Sequence, residues 1–133
     1  MKGGVRPPDF PEELVRFIRR ALPTYRAAEV LVSVARDPDR AWSTDEIVAV
    51  FPGLTAEAVH EYLAHFAQEG LVVADEAGRH RYAPRSEDLR AAVVLLTEAY
   101  DRRPVTLVRV MDSLGTERIR SFADSFRLKK RDR

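Results

Sequence analysis

Apolar residues recur at helical spacing along most of the chain, and short polar or Pro- and Gly-containing stretches separate the stripes. Asp9 and Glu12 have the spacing of a capping box at the start of the first stripe, which Pro23 closes. The apolar positions of that stripe are Phe10, Leu14, Phe17, Ile18 and Leu22. Thr24 is placed to cap a second helix that ends near Arg36. The pattern therefore predicts two consecutive helices at the N-terminal end.

A short helix and a longer one are predicted after Trp42. Ser43 and Glu46 again have capping-box spacing and open the short helix. Thr55 is placed to cap the longer helix, and Gly70 to end it in the left-handed conformation. The inward positions of the longer helix are Val59, Leu63 and Phe66.

The period of the pattern changes from helical to extended after Gly70. Residues 71–73 and 79–83 flank the turn-prone stretch 75–78, an arrangement typical of a β-hairpin. We expect the hairpin to cover the end of the longer helix. Its inward side chains are then predicted to be Leu71, Val73 and Tyr82.

The C-terminal part is predicted to be helical. Ser86 starts a long helix that reaches about Asp101, with an apolar face broad enough to need partners on two sides. That face comprises Leu89, Val93, Leu96 and Tyr100, widened by Ala92, Val94 and Leu95. A further helix from Pro104 to Gly115 is expected, although the alternation in VTLVRV is also typical of a strand. Thr116 is placed to cap a last helix.

Composition indicates one domain. A chain of 133 residues with 45% apolar content can bury a single core without metal or disulfide support. We expect residues 1–9 to form a flexible arm and residues 10–84 an N-terminal helix plus the core. Residues 85–128 are predicted to form a helical extension packed on that core, and residues 129–133 a basic tail.

Several classes of protein are disfavoured by what the chain lacks. It has no cysteine, which excludes disulfides, thiolate metal sites and thiol nucleophiles. Its N-terminus lacks the apolar core of a signal peptide, and its longest uncharged apolar run, AAVVLLT, is far shorter than the roughly 20 residues that span a bilayer. We therefore expect a cytoplasmic protein that has no membrane partner.

The order of elements carries a resemblance. A helix, a single extended residue, a short helix, a tight turn, a longer helix ending in Gly and a hairpin follow one another over residues 24–84. The central segment is WSTDEIVAVFPGLTAEAVHEYLAHFAQEGLVVADEAGRHRY. It resembles the winged-helix family of helix-turn-helix proteins, with Thr44 to Phe51 matching the second helix, Thr55 to Glu69 the recognition helix and Asp75 to Arg79 the wing. The resemblance implies a mainly α fold with a small β-hairpin, here with helical extensions at both ends.

Charge departs from the pattern of that family. The resemblance implies that the recognition helix approaches DNA bases through Thr55, Glu57, His60, Glu61, Ala64 and His65. Residues 43–70, however, contain five acidic residues and no Lys or Arg, a formal charge of −5, which repels phosphates. We therefore expect a regulatory or adaptor protein, transcription-associated, that binds another protein or a second copy of itself. The predicted contacts are the C-terminal helices and an acidic helical face comprising Glu57, His60, Glu61, His65 and Gln68.

The alternative is a dimeric DNA-binding transcriptional regulator. Basic residues lie at the wing and towards the C-terminus, where the last 16 residues carry a formal charge of +5. In this alternative the phosphate contacts are made by Arg79, Arg81, Arg85, Lys129, Lys130 and Arg131.

Catalysis is not predicted. His60 and His65 resemble a zinc-protease motif, but they are five residues apart where one helical face requires four, so they point about 140° apart. His80 lies between two arginines in the hairpin, which a solvent-facing strand position explains. The acidic residues lie mostly at predicted helix starts, where capping explains them. We expect no catalytic residue, no metal, no cofactor and no small-molecule substrate.

Overall fold

The computed structural model of the chain describes residues 10–116, and within them the fold is mainly helical with one small antiparallel sheet. The elements are α1 (Glu12–Ala21), α2 (Tyr25–Ala35), β1 (Ala41–Trp42), α3 (Thr44–Val50), α4 (Ala56–Gln68), β2 (Val72–Ala74), β3 (His80–Tyr82) and α5 (Glu87–Arg102). A sixth helix, α6, covers residues 104–116. The predicted arm at 1–9, the predicted last helix and the basic tail 129–133 lie outside the described residues.

Helix α1 begins later than the capping-box spacing predicted. Its N-cap is Pro11, which makes no side-chain hydrogen bond to the helix, and the Pro11 carbonyl accepts from the amides of Leu14 and Val15 at 3.0 and 3.2 Å. The prediction that Glu12 is the third residue of a capping box is therefore wrong, since Glu12 is the first helical residue. Proline suits this position because the first amides of a helix have no intrahelical partner.

The predicted starts of α2, α3, α4 and α5 are confirmed. Each cap is a hydroxyl that accepts from the amide three residues on, and Ser43 and Glu46 complete a reciprocal capping box. The capping residues are Thr24 for α2, Ser43 for α3, Thr55 for α4 and Ser86 for α5. Local hydrogen bonds therefore fix where these helices start.

Helix α4 ends in a Schellman motif that leads into the sheet. Gly70 has φ +81°, its amide donates to Ala67 at 3.1 Å, and the amide of Leu71 donates to Phe66 at 2.9 Å. Leu71 and Phe66 are both fully buried, which supplies the apolar contact of the motif. Gly70 thus ends α4 as predicted and directs the chain back along the helix.

The hairpin is confirmed, and β1 adds a third strand to it. The strand order is β1-β3-β2, with Trp42 opposite His80 and Val72 opposite Tyr82. Val72 and Tyr82 are buried whereas Val73 is 44% exposed, so the prediction that Val73 packs inward is wrong. Leu71 belongs to the Schellman motif and is outside the strand, and the alternation therefore starts one residue later than predicted.

Helix α5 packs against α1 and α2. Its buried residues are Ala92, Val93, Leu96 and Ala99. Val94 is 52% exposed, so it does not widen the buried face as predicted. Arg36 of α2 pairs with Asp101 near the C-terminal end of α5.

Helix α6 resolves the ambiguity of VTLVRV in favour of a helix. Leu107, Met111 and Leu114 recur at helical spacing and are buried in the core, as the helical interpretation requires. The expected end at Gly115 is wrong, because Gly115 and Thr116 are both helical. The Thr116 hydroxyl donates to the carbonyl of Asp112 four residues back, as an in-helix threonine does. The last helix that Thr116 was predicted to cap lies outside the described residues.

The buried side chains form one cluster that contains residues of every helix and strand. All buried residues among those described are apolar or aromatic. Charged side chains therefore remain on the surface, where their positions determine what the molecule can bind.

Candidate functional site

The exposed face of α4 runs opposite its buried stripe. Val59, Leu63 and Phe66 are fully buried. Exposed residues on the opposite side of the helix form one continuous stripe at helical spacing. That stripe, called here the α4 face, comprises Glu57, His60, Glu61, Ala64 and Gln68. Four of the five side chains predicted for a protein-binding face are therefore brought together.

His65 is the exception, because it lies to one side of that stripe. Its Nε2 lies 3.1 Å from the carbonyl oxygen of Arg20, at the end of α1, and the side chain is only partly exposed. The Arg20 side chain in turn pairs with Glu69, with Nε and Oε1 3.3 Å apart. His65 therefore connects α1 to α4 at the edge of the core.

A small charge network lies beside the turn of the hairpin. Nη1 of Arg79 lies 3.4 and 3.5 Å from the two carboxylate oxygens of Glu46, and Nη2 of Arg40 lies 3.8 Å from Oε1 of the same group. The guanidinium of Arg40 also lies 3.5 Å from the ring centroid of Trp42. One of the predicted phosphate contacts, Arg79, is thus partly neutralised by Glu46 of α3.

The other predicted phosphate contacts are distributed differently. Arg81 is exposed on the outer face of the sheet, in register with Ala41 and Val73, and has no ion-pair partner within residues 10–116. Arg85 donates its backbone amide to Gly70 at 2.8 Å, and its guanidinium lies over that glycine. The predicted contacts Lys129, Lys130 and Arg131 lie outside the described residues.

The unpaired negative charge is concentrated in three residues. Of the five acids in residues 43–70, Glu46 pairs with Arg79 and Arg40, and Glu69 pairs with Arg20. The other three, Asp45, Glu57 and Glu61, are exposed and have no ion-pair partner within the described part of the chain. The sequence count of −5 therefore overstates the field of this surface, but its sign is unchanged.

No protein-family profile, curated protein or solved structure matches this chain.

Two titrating groups near the hairpin are perturbed. The pKa of Glu46 is lowered, first by the hydrogen bond from the Ser43 backbone amide and then by the charges of Arg79 and Arg40, against the opposing effect of desolvation. The pKa of His80 is lowered by burial and by the neighbouring charge of His60, against the opposing effect of Asp75. Glu46 lies on α3 and His80 on β3 of the hairpin.

His80 and Trp42 are the residues that sequence reasoning missed. Nδ1 of His80 and Nε1 of Trp42 are buried and have no hydrogen-bond partner within residues 10–116. His80 lies opposite Trp42 on the inner face of the sheet, whereas the sequence suggested a solvent-facing strand position. The parity with Tyr82, two residues on and predicted to face inward, was the available signal.

A second cluster joins α2 to α5. The rings of Tyr25 and Tyr100 stack with centroids 6.0 Å apart, and the Tyr100 hydroxyl lies 3.4 Å from Glu29. Arg26 bonds the other oxygen of Glu29 at 2.6 Å and the carbonyl of Pro52 at 2.9 Å. Burial raises the pKa of both tyrosines, which therefore stay protonated as the hydrogen bonding requires. We interpret this cluster as a structural clamp.

A surface groove lies between α1 and α5. The groove between α1 and α5 has a volume of about 370 Å³, with Phe17, Leu89 and Ala92 among its lining residues and Arg16 and Asp88 also present. Among residues 10–116 no group of three or more His, Asp or Glu side chains is placed to hold a metal ion. In the same range no helix is both long and apolar enough to cross a bilayer.

Proposed function

We propose that this chain is a non-enzymatic winged-helix protein, a regulator or adaptor associated with transcription, that acts through protein contacts of the α4 face and of the C-terminal helices. The order α2, β1, α3, α4, β2, β3 supports the winged-helix assignment. So does the antiparallel pairing of β1 with the hairpin, which closes the three-helix unit. In this assignment α4 is the recognition helix and residues 75–79 are the wing.

The observation that carries the proposal is the charge of the α4 face. Glu57 and Glu61 project from the first two turns of α4 with no cation to neutralise them among the described residues. Unit charges about 4 Å apart in water interact by about 1 kcal/mol, so each carboxylate placed against a phosphate opposes binding by that order. The same carboxylates favour a basic protein surface, and Gln68 and His60 add hydrogen-bonding capacity.

The C-terminal helices offer apolar surface to the same or another partner. Val94 of α5 is 52% exposed, and Val105 and Val108 of α6 are 68% and 37% exposed. Single exposed valines are ordinary, but three on consecutive helices support a contact area beyond α4. A protein partner or a second copy of the chain fits this surface better than a nucleic acid does.

The test is charge reversal with a matched control. Glu57→Lys with Glu61→Lys changes the charge of the α4 face by four units. Asp37→Lys with Asp39→Lys makes the same change at exposed positions between α2 and β1, away from both proposed contact surfaces. We expect the first variant to lose at least about tenfold in capture of its protein partner from nuclease-treated native extract, with unchanged helical circular dichroism, because about 1.4 kcal/mol corresponds to tenfold. Equal capture by both variants contradicts the proposal.

The second candidate is DNA binding through the wing, which the exposed and unpaired Arg81 favours. Affinity for a random-sequence duplex should then fall steeply with salt, and Arg81→Ala should reduce the slope of log K against log salt by about one. The matched control is Arg109→Ala on α6, an exposed arginine far along the chain from the wing, which should leave the slope unchanged. Undetectable duplex binding at low salt excludes this candidate.

A further inference from the structure

The inner face of the sheet holds two buried nitrogen atoms that the proposed function does not use. Trp42 is 6% exposed, and its Nε1 has no hydrogen-bond partner within residues 10–116. Nδ1 of His80 is also buried without a partner in that range. The two residues are directly opposite in the pairing of β1 with β3, where facing Cβ atoms lie about 5 Å apart. Two orphan nitrogens at one register position are unusual, since buried polar atoms are nearly always paired.

Whether the two groups can hydrogen-bond to each other depends on the protonation state of His80. The indole nitrogen is only a donor, whereas an imidazole nitrogen is an acceptor when it carries no proton and a donor when it does. The neutral ring with its proton on Nε2 leaves Nδ1 able to accept a hydrogen bond from a donor such as the Trp42 indole. The charged ring places a second donor at Nδ1, where the described residues provide no acceptor.

The groups that face His80 come from every element around it. Helix α4 contributes His60, whose charge opposes protonation, and the turn of the hairpin contributes Asp75, which favours it. Arg79 and Arg81 flank the histidine along the chain, and Glu46 of α3 pairs with Arg79. Strand β1 contributes Trp42, with the guanidinium of Arg40 over its ring.

We propose that His80 is a proton-sensitive contact between the hairpin and Trp42 of β1, and that its protonation in mildly acidic solution separates the hairpin from Trp42 and so regulates the α4 face. The consequence for partner binding rests on the proposed function, but the proton-sensitive contact itself does not. The hairpin packs against α4 through β2, so a shift of the hairpin changes the surface presented to a partner. The lowered pKa of His80 places the response below that of an ordinary histidine.

The test uses Trp42, the single tryptophan of the chain, as its probe. Intrinsic fluorescence of the full chain is followed between about pH 8 and pH 5, the range in which histidine titrates. We expect one transition with a midpoint below the ordinary histidine value of about 6.5. His80→Gln should abolish the transition, and His60→Gln should move its midpoint upward because a like charge is removed. The matched control, His65→Gln, should leave the midpoint unchanged, since His65 contacts Arg20 on α1.

A transition that persists in His80→Gln, or no transition in the unaltered chain, overturns the proposal. If His80→Gln fails to fold, proton NMR titration of the three histidine rings in the unaltered chain replaces it, and a His80 pKa at or above about 6.5 then overturns the proposal. Partner capture above and below the midpoint completes the experiment. A pH-dependent Trp42 signal with pH-independent capture refutes the regulation of the α4 face, whereas no capture at either pH refutes the proposed function and leaves the fluorescence result standing.

Discussion

Replacing Gly70 with alanine tests how the hairpin is attached to α4. Gly70 ends α4 at φ +81°, and the Schellman hydrogen bonds on either side of it direct the chain into β2. A Cβ at this position would lie 2.8 Å from Cζ and Nε of Arg85, closer than ordinary contact. The substitution therefore introduces both backbone strain and a steric conflict.

The expected loss of unfolding free energy is estimated from the backbone strain and the steric conflict. Holding an alanine in the left-handed region costs about 1–2 kcal/mol, offset by about 0.4–1 kcal/mol because alanine restricts the unfolded chain. Displacing the exposed Arg85 side chain adds a few tenths to about 1 kcal/mol of lost packing. We expect Gly70→Ala to lower the free energy of unfolding by about 1–2 kcal/mol. Gly53 is the matched control, because it has φ +93° but nothing lies within 4 Å of its added Cβ.

Urea unfolding of Gly70→Ala and Gly53→Ala separates the cost of backbone strain from the cost of the conflict with Arg85. Gly53→Ala should cost about 0.5–1 kcal/mol from strain alone, visible as a lower midpoint with an unchanged slope. The difference between the two variants should shrink when both are made in an Arg85→Ala background. If Gly70→Ala lowers the free energy of unfolding no more than Gly53→Ala does in the otherwise unaltered chain, the conflict with Arg85 does not exist.

Three further predictions test the fold and its charges. Val72→Ala should lower the free energy of unfolding by about 2 kcal/mol and Val73→Ala by less than about 0.5 kcal/mol in urea titrations, because only Val72 is buried; equal costs would contradict the observed register. Ser43→Ala should cost about 1 kcal/mol because the capping box loses its hydroxyl, and an unchanged urea midpoint would show that the cap is dispensable. The lowered pKa of Glu46 means that its contribution to stability is present above pH 4.5 and is lost as pH falls through the folded-state pKa. Glu46→Gln should therefore flatten the decline of the urea midpoint below pH 4.5. Parallel pH dependences of the urea midpoint in the variant and the unaltered chain would contradict this prediction.

The elements that sequence reasoning predicted correctly are those that local interactions determine. Thr24, Ser43, Thr55 and Ser86 each accept from an amide three residues away, so a few neighbouring residues suffice to place the helix starts. The left-handed Gly70 is equally local. Asp9 failed as a cap prediction because Pro11 starts the helix two residues later without a side-chain cap.

The Val73 error has a local cause, because the Schellman motif uses Leu71 and shifts the alternation by one residue. Other features depend on interactions between distant parts of the chain. His65 lies at the edge of the α4 face, where its ring contacts the end of α1, 45 residues away. The pairing of Glu46 with Arg79 spans 33 residues, and no periodicity in the sequence encodes it. The charge of a segment is thus predictable, whereas the part of that charge left unpaired depends on tertiary contacts.

The central claim, that the α4 face binds a protein, is tested most directly by site-specific photocrosslinking. A photoreactive amino acid replaces Glu61 on the α4 face, or Asp39 between α2 and β1 as the control, and the chain is irradiated in nuclease-treated native extract. The proposal predicts a discrete protein adduct at position 61 that is lost when Glu57 is reversed to lysine and that does not form at position 39. An adduct to DNA before nuclease treatment and no protein adduct at position 61 would contradict it.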